Sequence, residues 1–151
     1  MGFAGIIAAA VFLADLIVKT YLRLNFSHSS IPIIKNIFHI TVVFNKGAAF
    51  GILQGKTIFL IITSLIFIIL FFFLLKDEGK KGPLYVCAFG LILGGAASNL
   101  CDRIFLGFVV DYLDFRIWPV FNLSDSCIST GVGILLLQSF KKTKVPAQET
   151  K

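Results

Sequence analysis

An all-α integral membrane protein is the fold class this sequence predicts. It has four transmembrane helices, short loops and one small extracytoplasmic β-sheet region, in a single domain over residues 1–151. Three observations carry that expectation. Of the 151 residues, 57% are hydrophobic and 15% charged, more apolar surface than a soluble domain of this size can bury. The apolar residues gather in four runs, about 3–24, 57–75, 83–100 and 123–140, each close to the roughly 20 residues that cross a bilayer as a helix. The lysines collect where runs end, at 76–82 and 141–151.

The net charge of +6 is explained by that lysine placement and by membrane topology, so no nucleic-acid partner is expected. Cys87, Cys101 and Cys127 stand singly, without a CxxC or a Cys/His cluster, and His28 and His39 are the only histidines. No metal site, cofactor or disulfide framework follows from that set.

The first run, Phe3 to Leu24, is preceded by no Lys or Arg, and Asp15 and Lys19 continue within it. It therefore reads as a retained membrane helix rather than a cleaved leader. Asp15 and Lys19 stand four apart on one helix face, an internal ion pair that lets two charges enter the membrane. Residues 25–56 are too polar to span. Within about 31–55, Phe38, Ile40, Val42 and Phe44 alternate with Ile37, His39, Thr41 and Val43, the period of a strand. A turn at Asn45-Lys46-Gly47 follows, then Ala48, Ala49 and Gly51 around Phe50. The expectation is a hairpin on the helix ends, or a short sheet whose edge can pair with an extended peptide. His39 reads as a surface or packing residue.

The second run is followed by KDEGKKG. The third carries Gly90-x-x-x-Gly94 and Gly94-Gly95-Ala96-Ala97-Ser98, a narrow face for close helix contact. An acidic loop comes next, and then the fourth run. Lysine density places both termini in the cytoplasm. Asn45, Asp102, Arg103, Asp111 and Asp125 then converge at the outer face, with Asp15 just beneath them.

Ionisable groups next to lipid cost roughly 2.5–3.5 kcal/mol each at mid-membrane, so that layer is read first as a working site. Two carboxylates held together at low dielectric cannot both ionise easily, and one keeps a proton. The ionised acid can take a proton from water while the protonated one polarises an amide carbonyl. Asp125 opens the fourth helix, and Asp111 precedes it by fourteen residues on a loop able to fold back. The sequence holds no GxSxG elbow and no HExxH. By paired acids alone, a small proton- or cation-linked membrane transporter is the alternative, because relays use the same residues.

Five motifs are informative together: Asp15-x-x-x-Lys19, Phe44-Asn45-x-Gly47-Ala48-Ala49-Phe50, Gly95-Ala96-x-x-Asn99-x-x-Asp102-Arg103, Val109-Val110-Asp111-Tyr112 and Phe121-Asn122-x-x-Asp125-Ser126. In this order and spacing they resemble the lipoprotein signal peptidase (signal peptidase II) family of bacteria. The resemblance implies an aspartic peptidase of the cytoplasmic membrane. Such an enzyme removes signal peptides from diacylglyceryl-modified prolipoproteins before the lipid-bearing cysteine. It also implies a small extracytoplasmic sheet, contact with membrane lipids and inhibition by the cyclic peptide globomycin. The family's catalytic pair falls on Asp111 and Asp125. Its supporting polar residues fall on Asp15, Lys19, Asn45, Asn99, Arg103 and Asn122, with Asp102 inside the motif. Leu16 departs from the family's usual Gln.

Individual expectations follow. Arg103 ion-pairs with a neighbouring acid in preference to holding a substrate carbonyl. The asparagines orient a carboxylate or an extended peptide. Tyr112 and Trp118 sit at the headgroup level. Asp114, in no motif, is solvated or paired locally.

Overall fold

The computed structural model describes residues 2–48, 52–74 and 82–143. Helix α1 is Gly2–Asn25, followed by strands β1 (Ser30–Ile34) and β2 (Phe38–Asn45). Helices α2 (Thr57–Leu74) and α3 (Pro83–Phe105), strand β3 (Val109–Asp114) and helix α4 (Leu123–Thr143) complete the order. The motif residues Ala49, Phe50 and Gly51, the lysine loop Lys76, Lys80 and Lys81, and the tail from Lys144 to Lys151 lie outside the described residues.

Among the described residues, three helices are long and apolar enough to cross a membrane: α1, α3, and α4 over Leu123–Phe140. In α2 the apolar stretch Thr57–Phe73 is shorter. Ile6, Ile17, Ile58, Leu70, Phe73 and Leu137 point outward. In water such a belt would be unstable, whereas against acyl chains it meets its own kind.

Helix α3 is the spine and packs against α1, α2 and α4. Pro83 starts it at a position where the missing N–H costs nothing. Its glycines set the spacing. A Cβ on Gly94 would lie 2.5 Å from the Ala8 carbonyl of α1, and one on Gly95 would lie 2.6 Å from the Ser124 carbonyl of α4. Only glycine allows the backbones to come this close. Away from that seam, Phe71, Phe89 and Ile92 form an apolar cluster with Tyr85, Leu93 and Leu135.

At one end of the bundle lies a three-stranded antiparallel sheet in the order β1-β2-β3. Strand β2 matches the alternation in the sequence, but its hairpin partner β1 precedes it, so the hairpin turns between Ile34 and Phe38 and not at Asn45-Lys46-Gly47; the third strand does not appear in that pattern. Val109–Asp114, expected as part of an acidic loop, is a strand because Val110 and Tyr112 bury one face on the bundle. As a result β2 is paired on both sides and the edge strands are β1 and β3, with β3 bridged at Leu113 by Phe121. A register shift between Ile40 and Val43 places Val43 opposite Asp111, a bulge that re-aims the end of β2. Asp102 and Arg103, expected in the loop, are helical, because α3 continues to Phe105.

Candidate active site

The sheet and the bundle together enclose a cleft of about 1090 Å³. Asp111 of β3 and Asp125 of α4 both line it, with Asn45, Asn99 and Arg103. Its walls are largely apolar: Val43 and Phe44 from β2, the Phe115–Phe121 segment, and Ile128 on α4.

Each carboxylate is held by asparagine amides. Asn45 donates to Asp111 Oδ2 at 2.9 Å and Asn122 donates to Asp111 Oδ1 at 2.8 Å. Asn99 donates to Asp125 Oδ1 at 2.8 Å, and the Asn122 backbone N–H approaches Asp125 Oδ2 at 3.3 Å. Every amide orientation is fixed by a second bond at its oxygen. Asn45 Oδ1 accepts from the Gly47 N–H at 2.9 Å, and Asn122 Oδ1 accepts from the Asp125 N–H at 2.9 Å. Asn99 Oδ1 accepts from Lys19 at 2.8 Å and from Asn122 at 3.0 Å. Asn122 is therefore the hinge pin between the acids, bonded to both and itself fully buried.

Beneath this layer sits the pair Asp15–Lys19, at 2.8 Å and shut off from solvent. Lys19 also meets Asp102 at 3.0 Å, so its three ammonium hydrogens serve Asp15, Asp102 and Asn99. Asp15 accepts from Ser98 at 2.7 Å, from Ser124, and from Tyr112 at 3.1 Å, so one carboxylate ties α1 to α3, α4 and β3. Asp102 lies apart from the cleft. It accepts the Val110 N–H at 3.0 Å and fixes the end of α3 to β3.

Burial pushes the Asp111 carboxyl up to about 7, against the pull of the Asn45 amide and with help from the charge of Asp125. Tyr112 is pushed up as well, by burial and then by Asp15. Tyr112 was expected at the headgroups; it is instead 4% exposed, because its hydroxyl belongs to Asp15. Trp118 does face outward, on the cleft rim. Arg103 makes no ion pair among the described residues. Its guanidinium reaches the carbonyls of Asn99 and Gly47 at 3.5 Å, because asparagine amides already hold Asp111 and Asp125. Asp114 is paired locally with Arg116 at 3.0 Å and is not solvated. His39 shares its Nδ1 with Ser30 at 3.1 Å, away from the cleft.

Sequence reasoning missed Ser98, Ser124 and the hydroxyl of Tyr112, all three of which bond Asp15. The signal was present: two hydroxyls inside apolar helices, and a tyrosine one step from Asp111 on a strand.

Residues 7–141 match the family model described as signal peptidase (SPase) II. The lipoprotein signal peptidase of Halothermothrix orenii is 46% identical over 142 residues, covering 93% of this chain and 97% of that protein. That of Moorella thermoacetica is 45% identical over 138 residues, covering 88% and 89%. Among solved structures, a bacterial membrane enzyme determined by the in meso method at 2.3 Å superposes with a TM-score of 0.89 at 31% identity, covering 100% of this chain and 95% of the other. A second such enzyme, at 1.9 Å, gives 0.82 at 32% identity, covering 93% and 94%.

Proposed function

The chain belongs to the signal peptidase II family, and we propose on that premise that it is an aspartic endopeptidase. Its substrate is a diacylglyceryl-modified prolipoprotein, cut just before the lipidated cysteine. The observation that carries this reading is the pairing of Asp111 and Asp125 across one cleft, each held by side-chain amides that cannot titrate.

Asp111 holds the proton and Asp125 the charge. Asp125 stands in the first turn of α4, where the helix dipole favours an anion. Asp111 sits buried on a sheet with its carboxyl raised to about 7. Asp125 takes a proton from a water molecule as the water oxygen attacks the scissile carbonyl carbon. Asp111 gives its proton to the carbonyl oxygen, forming a tetrahedral diol. Collapse of the diol returns one proton to Asp111 while the one on Asp125 passes to the departing amide nitrogen, so both acids recover their starting states. The asparagines keep the geometry fixed throughout, which is where most of the gain from preorganisation arises.

The α2 helix completes a four-span bundle with both termini in the bacterial cytoplasm. The sheet follows the C-terminal end of α3, and in the sequence the lysine-rich stretch 76–82 precedes its N-terminal end; by lysine density this supports an outward-facing cleft. There the acyl chains stay in the bilayer while the peptide reaches the acids. At roughly 0.8 kcal/mol per buried methylene, two acyl chains dominate retention of the substrate, and a globomycin-type cyclic peptide would compete for the same cleft. Transport is the poorer account: among the described residues α2 carries no Asp, Glu, Lys or Arg, and α3 carries none before Asp102, so no charged path crosses those helices.

The test is cleavage of a lipidated precursor by purified variants. Asp111→Asn and Asp125→Asn should each lower turnover by about 10²–10⁴-fold, the scale of acid/base catalysis. The double variant should be little worse than either single one. Near-normal turnover in either single variant would remove the dyad assignment.

A further inference from the structure

We infer that Asp114, an acid outside the dyad, is a positioning residue that holds residues 115–120 as a fixed apolar wall of the cleft. Substrate apolar groups flanking the scissile bond rest against that wall. The inference depends on the peptidase reading for its substrate, though not for its geometry.

After β3 the chain leaves as a small closed loop and returns at Phe121. The neck is sealed by backbone bonds: Leu113 N–H to the Phe121 carbonyl at 2.7 Å, Phe121 N–H to the Leu113 carbonyl at 3.1 Å, and Tyr112 N–H to the same Phe121 carbonyl at 2.9 Å. An aromatic stack supports one side of the loop, with Phe115 4.9 Å from Phe38 of β2 and 5.9 Å from Phe121. Asp114 supports the interior. Its Oδ1 accepts the Arg116 N–H at 2.8 Å, and its Oδ2 accepts from Arg116 Nη1 at 3.0 Å and from Thr41 of β2 at 2.7 Å. Arg116 adopts φ 66°, a backbone state that side chains other than glycine rarely take. The clasp from Asp114 is what offsets that cost.

The result is an outward-pointing tip. Ile117 is 94% exposed and Trp118 57%, yet both line the cleft with Phe115 and Pro119. A loop with two exposed apolar residues at its tip would fold inward or fluctuate if left free. Three bonds on one carboxylate hold it open instead. Although burial pushes the Asp114 carboxyl up, the bonds from Thr41 and Arg116 leave it below the usual range, so the clasp stays closed at neutral pH.

Trp118 is the only tryptophan in the chain, so its emission reports on this wall alone. The test compares the full-length protein with Asp114→Asn, Asp114→Ala, Arg116→Lys and Arg116→Ala. Asn keeps an acceptor for the Arg116 N–H and loses the ion pair; Ala loses both. With a lipidated precursor, KM should rise roughly two- to fivefold for Asp114→Asn, the scale of a part-exposed ion pair. For Asp114→Ala it should rise roughly five- to tenfold, as a backbone bond is also lost. In both, kcat should stay within about twofold and the pH profile should not move, because the dyad is untouched. Trp118 anisotropy should fall in the same order, and Arg116→Lys should restore most of it relative to Arg116→Ala. Binding of the precursor to the inactive Asp111→Asn protein should shift the Trp118 emission.

Unchanged KM in Asp114→Ala, a loss of kcat at constant KM, or equal anisotropy across the series would each overturn the inference. If Asp114→Ala does not fold, Asp114→Asn and Arg116→Ala carry the same comparison. If no variant and no parent cleaves the precursor, the peptidase reading has failed, while the anisotropy series still decides whether the clasp holds the wall.

Discussion

Lys19 and Asn99 meet at 2.8 Å although 80 residues of chain separate them. Lys19 does not line the cleft, but its bond fixes the Asn99 amide that holds Asp125. Lys19→Met would strand Asp15 and Asp102 without their cation, a break that costs about 3–5 kcal/mol. The apparent Tm in detergent should fall on the order of 10 °C, with peptidase activity lost in parallel. Adding Asp15→Asn should recover part of the Tm, since one stranded charge is then gone.

The pH response turns on Asp111. Its carboxyl is raised to about 7, so the proton that the proposed mechanism assigns to it is lost as pH climbs through that value, and turnover should decline above it. The Asn45 amide favours the ionised form, so Asn45→Ala should raise the Asp111 value further and move the alkaline limb of the rate profile to higher pH. Stability follows the same sign. The unfolded carboxyl ionises near roughly pH 3.9, whereas the folded one keeps its proton to about 7. Stability contributed by the protonated Asp111 is thus greatest below the lower value and is lost as pH rises between the two. Thermal unfolding of the parent against Asp111→Asn, followed from pH 4 to 8, should show the parent losing ground over that interval.

Glycine at 95 sets the distance between α3 and α4 beside the dyad. A Cβ there meets the Ser124 carbonyl at 2.6 Å and Ile128 Cγ1 at 2.9 Å, and the carbonyl belongs to backbone that cannot step aside alone. Gly95→Ala should cost roughly 1–3 kcal/mol and depress kcat, because Ser124 adjoins Asp125. Gly133→Ala, where a Cβ meets nothing within 4 Å, should be neutral or slightly stabilising. Unfolding and turnover measured on the two variants separate close packing from a general dislike of substitution.

Membrane placement is open to direct labelling. With Cys87, Cys101 and Cys127 replaced by Ala, a single Cys at position 39 should react with an impermeant maleimide on intact cells. One at position 80 should stay protected until the membrane is opened. The reverse pattern would put the cleft on the cytoplasmic side.

Much of this architecture was legible because membrane helices announce themselves: α1 and α4 begin within a residue of the apolar runs that predicted them. Strand β2 was legible from alternation, whereas its partner β1, Ser30–Ile34, was not. Strand β3 was not, because Val109-Val110-Asp111-Tyr112-Leu113-Asp114 is buried on nearly every residue and shows no two-fold pattern. For the same reason Tyr112 read as a headgroup residue and not as the partner of Asp15. The motif acids and asparagines could be read as a set, yet their wiring could not. Which carboxylate each amide meets is decided by the register of β2 on β3 and by the glycine-set approach of α4, neither of which is local.

Asp111 arrives on the sheet and Asp125 on the bundle, so the proposed catalytic pair is a joint between two layers and belongs wholly to neither. A nucleophile and its base borne on one element survive small shifts of their surroundings; here the chemistry exists only while the layers are docked. The same seam offers a second way to stop the enzyme. A small molecule wedged under the sheet, away from the acids, would uncouple them, whereas one bridging β3 and α4 would act as a brace and raise thermal stability as it blocks the cleft.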